Sequence, residues 1–123
     1  MFLEHVNLNV ADVERTARFY EEVFDFKRRW EGDGMAGMGR TVHVGTDDTY
    51  LALYQPHEKT QAAPGVGEIS LNHVGIVVDD LDEIDHRLEA RGVDTFNHGS
   101  YEPGRRFYFL DPDGVEIEVV SYP

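Results

Sequence analysis

His5-Val6-Asn7-Leu8-Asn9-Val10-Ala11-Asp12-Val13 returns 68 positions later as His73-Val74-Gly75-Ile76-Val77-Val78-Asp79-Asp80-Leu81 (73 − 5 = 68). The histidine, two valines and the second copy's Asp80 coincide with their counterparts, and Leu8 is matched by Ile76. Each stretch alternates as a strand does: Val6, Leu8 and Val10 share one face, and His5, Asn7 and Asn9 the other. The second copy sets Val74, Ile76 and Val78 against His73, Gly75 and Val77. Self-similarity of this kind marks two copies of one supersecondary unit.

A helix is expected after each strand. Asp12 and Asp80 are suited to cap it, and Glu83 stands three residues after Asp80, as in a capping box. Val13, Ala17, Tyr20 and Phe24 keep helical spacing, as do Leu81, Ile84 and Leu88, and Gly92 closes the second helix. Short extended runs follow at 26–30, 41–44 and 50–54 in the first half, and at 95–98, 106–110 and 115–120 in the second. Asp111-Pro112-Asp113-Gly114 is a hairpin turn, answered by Gly45-Thr46-Asp47-Asp48. Two prolines and two glycines mark 55–68 as a linker. The fold class is therefore α+β: one domain over 1–123, with module one at about 1–56, a linker at about 57–68 and module two at about 69–123.

The bulk properties bound the function. A chain of 123 residues can bury one core. No stretch approaches the roughly 18 apolar residues of a membrane helix, and the N-terminus does not read as a signal peptide. Without cysteine, disulfides, thiolate metal sites and cysteine nucleophiles are excluded. A cytoplasmic location is expected. The 24 acidic and 11 basic groups give a net charge of −13, which repels nucleic acid and anionic membranes, so neither is expected as a partner. The plain reading is a solvated acidic surface, which a salty cytoplasm would screen.

The final strand sends Val115, Ile117 and Val119 toward the helix, leaving Glu116 and Glu118 on the histidine side. His5, His73 and Glu118 thus make a candidate site for one divalent metal ion with positions open to water or substrate. Nitrogen and oxygen donors suit Fe, Mn, Zn, Ni or Co. Of the other histidines, His86 reads as a surface residue, His57 falls in the linker, and His98 ends a strand. Trp30, Tyr50 and Tyr54 could line a pocket or simply pack.

The repeated strand–helix–three-strand plan, Leu3-Glu4-His5-Val6, Leu71-Asn72-His73-Val74, and the run from Phe107 through Asp111-Pro112-Asp113-Gly114 to Glu118 together resemble the vicinal oxygen chelate superfamily. That group includes glyoxalase I, fosfomycin- and bleomycin-resistance proteins, extradiol dioxygenases and methylmalonyl-CoA epimerase. The resemblance spans essentially the whole chain. It implies two tandem βαβββ modules forming a curved, partly open mixed sheet, with the metal on His5, His73 and Glu118. The family's fourth ligand position falls on Ala52, since Leu51 and Leu53 pack inward. Glyoxalase I carries a glutamate there that ligates the metal and moves a proton; alanine does neither.

By the same resemblance, Tyr108 matches a substrate-contacting tyrosine ten residues before the ligand glutamate (118 − 108 = 10). Arg106 shares its face and suits a carboxylate or phosphonate. Asn7 and Tyr54 are further substrate-side candidates, and Glu116 is a candidate base. Extradiol dioxygenases use an acid/base histidine on a first-half strand; His43 is the candidate here, with its facing open. The resemblance implies a small-molecule substrate chelated through vicinal oxygens, and a homodimer with sites at the interface. A thiol-transferase or dioxygenase activity is favoured over glyoxalase I. The alternative is a metal-free, bleomycin-resistance-like binding protein.

Overall fold

The computed structural model describes residues 2–34, 39–57, 71–101 and 104–123. Its elements are β1 (His5–Asn9), α1 (Val13–Phe24), β2 (Lys27–Gly34), β3 (Gly39–Gly45), β4 (Tyr50–Pro56), β5 (Val74–Val77), α2 (Leu81–Ala90), β6 (Thr95–Tyr101), β7 (Gly104–Leu110) and β8 (Glu116–Ser121). The chain divides into two compact units, Met1–Ala63 and Pro64–Pro123. Each follows the expected strand–helix–three-strand order. β2, β3, β4, β6 and β7 run longer than the sequence pattern indicated, because ladder hydrogen bonds carry a strand past its last hydrophobic residue. β4 takes in Gln55 and Pro56, and most of the expected linker lies outside the described residues.

The caps form as expected. Asp12 Oδ1 accepts from Arg15 N at 3.1 Å, and Asp80 Oδ1 from Glu83 N at 3.0 Å. The Glu83 carboxylate is engaged one turn on by Arg87, at 2.7 Å. At the other end of α2, Gly92 at φ +73° lets Val93 N reach Leu88 O and Gly92 N reach Glu89 O. This paired closure needs a left-handed residue. In the first unit Asp25 holds the left-handed position (φ 57°) instead.

Each unit has a mixed four-stranded sheet, ordered β1-β4-β3-β2 in the first and β5-β8-β7-β6 in the second. β1 pairs parallel to β4, and β5 parallel to β8; the other pairings are antiparallel. β8 therefore lies inside its sheet, between β5 and β7. One face of each sheet carries the core. Leu8, Leu53 and Val42 form a buried row under α1, and Ile76, Val119 and Phe107 form its counterpart in the second unit. The Asp111–Gly114 turn is tied down by Asp111, only 5% exposed, whose Oδ1 accepts from Asp113 N at 2.8 Å and Val115 N at 2.9 Å.

Candidate functional site

The polar faces of the two sheets follow one plan. Across the first sheet, register places Asn7, Ala52, His43 and Trp30 side by side. Across the second it places Gly75, Glu118, Tyr108 and Phe96. Ala52 is thus the first-unit counterpart of Glu118, and His43 the counterpart of Tyr108. The facing of His43, open in the sequence, is settled: it stands on the polar face, against the rings of Tyr50 at 4.5 Å and Trp30 at 5.1 Å. Burial, seconded by His5 and Arg29, lowers its pKa from the ordinary 6.5, favouring the neutral imidazole.

In the first unit, His5 stacks on Tyr50 at 4.9 Å. Its Nδ1 lies 2.9 Å from Glu4 Oε1, which also receives the Tyr50 hydroxyl at 3.1 Å. Those two hydrogen bonds hold the Glu4 carboxyl below its ordinary pKa, so it is an anionic acceptor and Nδ1 carries the proton. Nε2 is left with its lone pair open to a ligand. Sequence alternation missed Arg29. A β-bulge between Arg28 and Trp30 breaks the period of two. It leaves Arg28 reaching Glu14 and Glu21 on α1, and sets Arg29 4.4 Å over the Tyr50 ring. Nothing beyond the Arg28-Arg29 doublet signalled this in the sequence. Asn7 is exposed beside Ala52, and Tyr54, half-buried, pairs with Asn9 and Thr41 on the same face.

The second unit repeats the anchoring. His73 Nδ1 lies 2.6 Å from Asn72 Oδ1, an acceptor, at the repeat position of Glu4 (72 − 4 = 68). Nε2 therefore presents its lone pair, and it sits 3.1 Å from Glu118 Oε2. Two acceptor atoms facing each other at this distance need a shared cation, either a proton on Nε2 or a metal ion. Ligands about 2.1 Å from one ion at a right angle are about 3.0 Å apart, so the pair fits a metal. Gly75 leaves the space beside Glu118 open: a Cβ there would stand 4.0 Å from Oε2. Glu118 Oε1 accepts from Arg106 Nη1 at 2.7 Å, so the guanidinium expected to meet substrate is engaged with the carboxylate. Tyr108 meets the His73 ring edge-on at 5.8 Å. Glu116 Oε2 lies on the Nδ1 side of His73, at 3.9 Å.

Among the described residues, no three His, Asp or Glu side chains gather as a metal cage; the second unit supplies the pair His73 and Glu118. His98, expected only at a strand end, sits in the β6 bulge, stacked on Phe107 and 2.9 Å from Thr95 Oγ1. His57 and His86 are exposed.

The sequence model of the Glyoxalase/Bleomycin resistance protein/Dioxygenase superfamily matches residues 2–119. The chain belongs to this superfamily. It is 25% identical to a glutathione transferase FosA from Serratia marcescens over 95% of its own length and 78% of the relative's. It is 32% identical to a probable trivalent organoarsenical cleaving enzyme from Bacillus subtilis (strain 168), covering 93% and 75%. A glyoxylase/bleomycin resistance protein/dioxygenase domain from Frankia sp. EAN1pec shares the fold, with a TM-score of 0.85, 21% identity, and 100% and 93% coverage. TnmS3, an antibiotic binding protein from Streptomyces sp. CB03234, aligns with a TM-score of 0.74 at 25% identity, covering 100% and 97%. No helix among the described residues is long and apolar enough to cross a membrane.

Proposed function

We propose that this superfamily member is an enzyme that uses one divalent metal ion, held by His5, His73 and Glu118, to transfer an external thiol to a small substrate chelated through vicinal oxygens. The observation that carries the reading is the 3.1 Å approach of His73 Nε2 to Glu118 Oε2, with Nδ1 already committed to Asn72. The ion would supply Lewis acidity and open positions for two substrate oxygens. Arg106 holds one carboxylate oxygen of Glu118, leaving the other to face His73. Tyr108, beside Glu118, is placed to donate its phenolic hydrogen to a substrate oxygen.

The nucleophile comes from outside, because the chain has no cysteine. The thiol sulfur forms a carbon–sulfur bond as a carbon–oxygen bond of the substrate breaks, and the thiol proton ends on the released oxygen. Similarity to a glutathione transferase supports this class. An organoarsenical substrate is less suited: trivalent arsenic is soft and seeks thiolates, and this chain offers nitrogen and oxygen donors. Ala52 argues against a glyoxalase I reaction, since the first unit has no carboxylate at the position of Glu118. In a proton-abstracting version, Glu116 or the neutral His43 would be the base. In a dioxygenase version, iron would be the metal.

Pairing as a homodimer with sites at the interface, within a single domain of two modules, completes the reading; light scattering of the purified protein tests it. The second reading is a metal-free binding protein, favoured by the full-length similarity to an antibiotic binding protein. Metal content decides between them. Protein purified without chelator or affinity metal is expected to carry about one ion per chain, lost in His5→Ala, His73→Ala and Glu118→Ala. No metal, and no uptake on anaerobic reconstitution, would leave the binding reading.

A further inference from the structure

His73 also lines a cavity of about 530 Å³ in the second unit, with Asn72, Asn97, His98, Tyr108 and Glu116 among its walls. Glu116 is the one carboxylate in that lining, and no lysine or arginine contributes to it among the described residues. The guanidinium of Arg106, on the same strand as Tyr108, is bonded to Glu118. His73 makes no hydrogen bond to Glu116: the gap to Nδ1 is 3.9 Å, and that nitrogen is bonded to Asn72 at 2.6 Å. The Glu116 carboxylate, half-buried, therefore keeps its acceptor capacity for something in the cavity.

Two further walls favour a cation. Tyr108 presents an aromatic ring, backed by Phe96 at 6.2 Å, and aromatic rings attract ammonium groups. Asn97 adds an amide. It is held at φ +52° in the β6 bulge, a left-handed conformation that asparagine tolerates better than most residues. An anionic group here would meet the Glu116 carboxylate directly, and a purely apolar one would leave that carboxylate and the Asn97 amide without partners.

We propose that this cavity is the specificity subsite for a substrate arm bearing an amine, with its ammonium set against Glu116 and flanked by Tyr108 and Asn97. The inference rests on the metal-chelate reading above, because the arm belongs to the molecule whose vicinal oxygens face His73 and Glu118.

Three catechols with the same chelating head test it by calorimetry on Zn²⁺-loaded protein, with metal content measured in parallel. Dopamine carries the amine arm, 4-methylcatechol a neutral one, and 3,4-dihydroxyphenylacetate a carboxylate. Dopamine is expected to bind about tenfold more tightly than the carboxylate analogue, with the neutral compound between them. In Glu116→Gln the spread is expected to shrink to about twofold with metal content unchanged. Equal affinities, tighter binding of the carboxylate, or a spread that survives Glu116→Gln in metal-loaded protein overturns this subsite and leaves the metal reading standing. Failure to load Zn²⁺, with no uptake of Fe²⁺, Mn²⁺, Ni²⁺ or Co²⁺ either, overturns both.

Discussion

Arg106 donates to Glu118 Oε1 at 2.7 Å, and each of the two side chains is only 13% exposed. An ion pair so far removed from water holds the carboxylate in one orientation, because releasing it would leave two desolvated charges. The other oxygen is thereby directed at His73.

Removing the guanidinium tests that role. Arg106→Met is expected to lower stability by about 2–3 kcal/mol in urea denaturation at neutral pH, because Glu118 keeps its charge and loses its partner. Metal affinity is expected to fall about tenfold, as for loss of a group that orients a ligand. Arg106→Lys should recover part of both. Unchanged urea midpoints and metal affinity in Arg106→Met would show that the pair neither stabilises the unit nor orients Glu118.

The counterpart position offers the opposite experiment. Ala52 is 3% exposed between Asn7 and His43, so Ala52→Glu buries a carboxylate whose cross-strand neighbours are an amide and an imidazole, neither a fixed cation. Metal-free protein is expected to lose about 2–3 kcal/mol. Added Mn²⁺ should then raise the melting temperature of the variant more than that of the wild type. An equal rise in both would remove residue 52 from the metal's surroundings.

Asp111 links the hairpin turn to the site. Its carboxylate takes two backbone N–H groups, those of Asp113 and Val115. Asp111→Ala is expected to cost about 2 kcal/mol. Because the turn sets the register of Tyr108 against Glu118, hydrogen exchange across β7 and β8 should quicken together. Loss of protection confined to residues 111–115 would separate the turn from the site.

Acid should weaken the charged cluster between α1 and β2. Hydrogen bonding to Arg28 holds the Glu14 carboxyl below its ordinary pKa of 4.5. Burial opposes the charge on Arg28, but its bonds to Glu21, Glu31 and Glu14 outweigh that and raise its pKa. A depressed carboxyl contributes stability above its unfolded value, and that contribution is lost as pH falls through the lower folded value. The denaturant midpoint is thus expected to drop as pH falls below about 4.5, and to drop less in Arg28→Ala. Equal slopes for the two proteins would show that the cluster contributes nothing to acid stability.

Much of this was legible in the residues themselves. The strand–helix–three-strand plan follows from alternation and helical spacing, which depend only on neighbours along the chain. Asp12, Asp80 and Gly92 mark helix ends because capping is local chemistry. Alternation alone also put Glu118 on the face of His73. Arg29 was not legible, since a bulge is decided by how β2 pairs with β3 and it reverses the facing of every residue beyond it.

Patterns local to the chain were enough to mark the two modules, their faces and the three candidate ligands. Strand register, and not the offset of the opening strands, sets which residues are equivalent across the repeat. The constant offset of 68 would match Glu118 to Tyr50 (118 − 68 = 50), whereas strand register matches it to Ala52 (118 − 52 = 66). Connections of different length shift the numbering without shifting the ladder. Hydrogen bonding between strands far apart in the chain therefore sets the row in which Glu118, Tyr108 and Phe96 stand, and with it the partners of each.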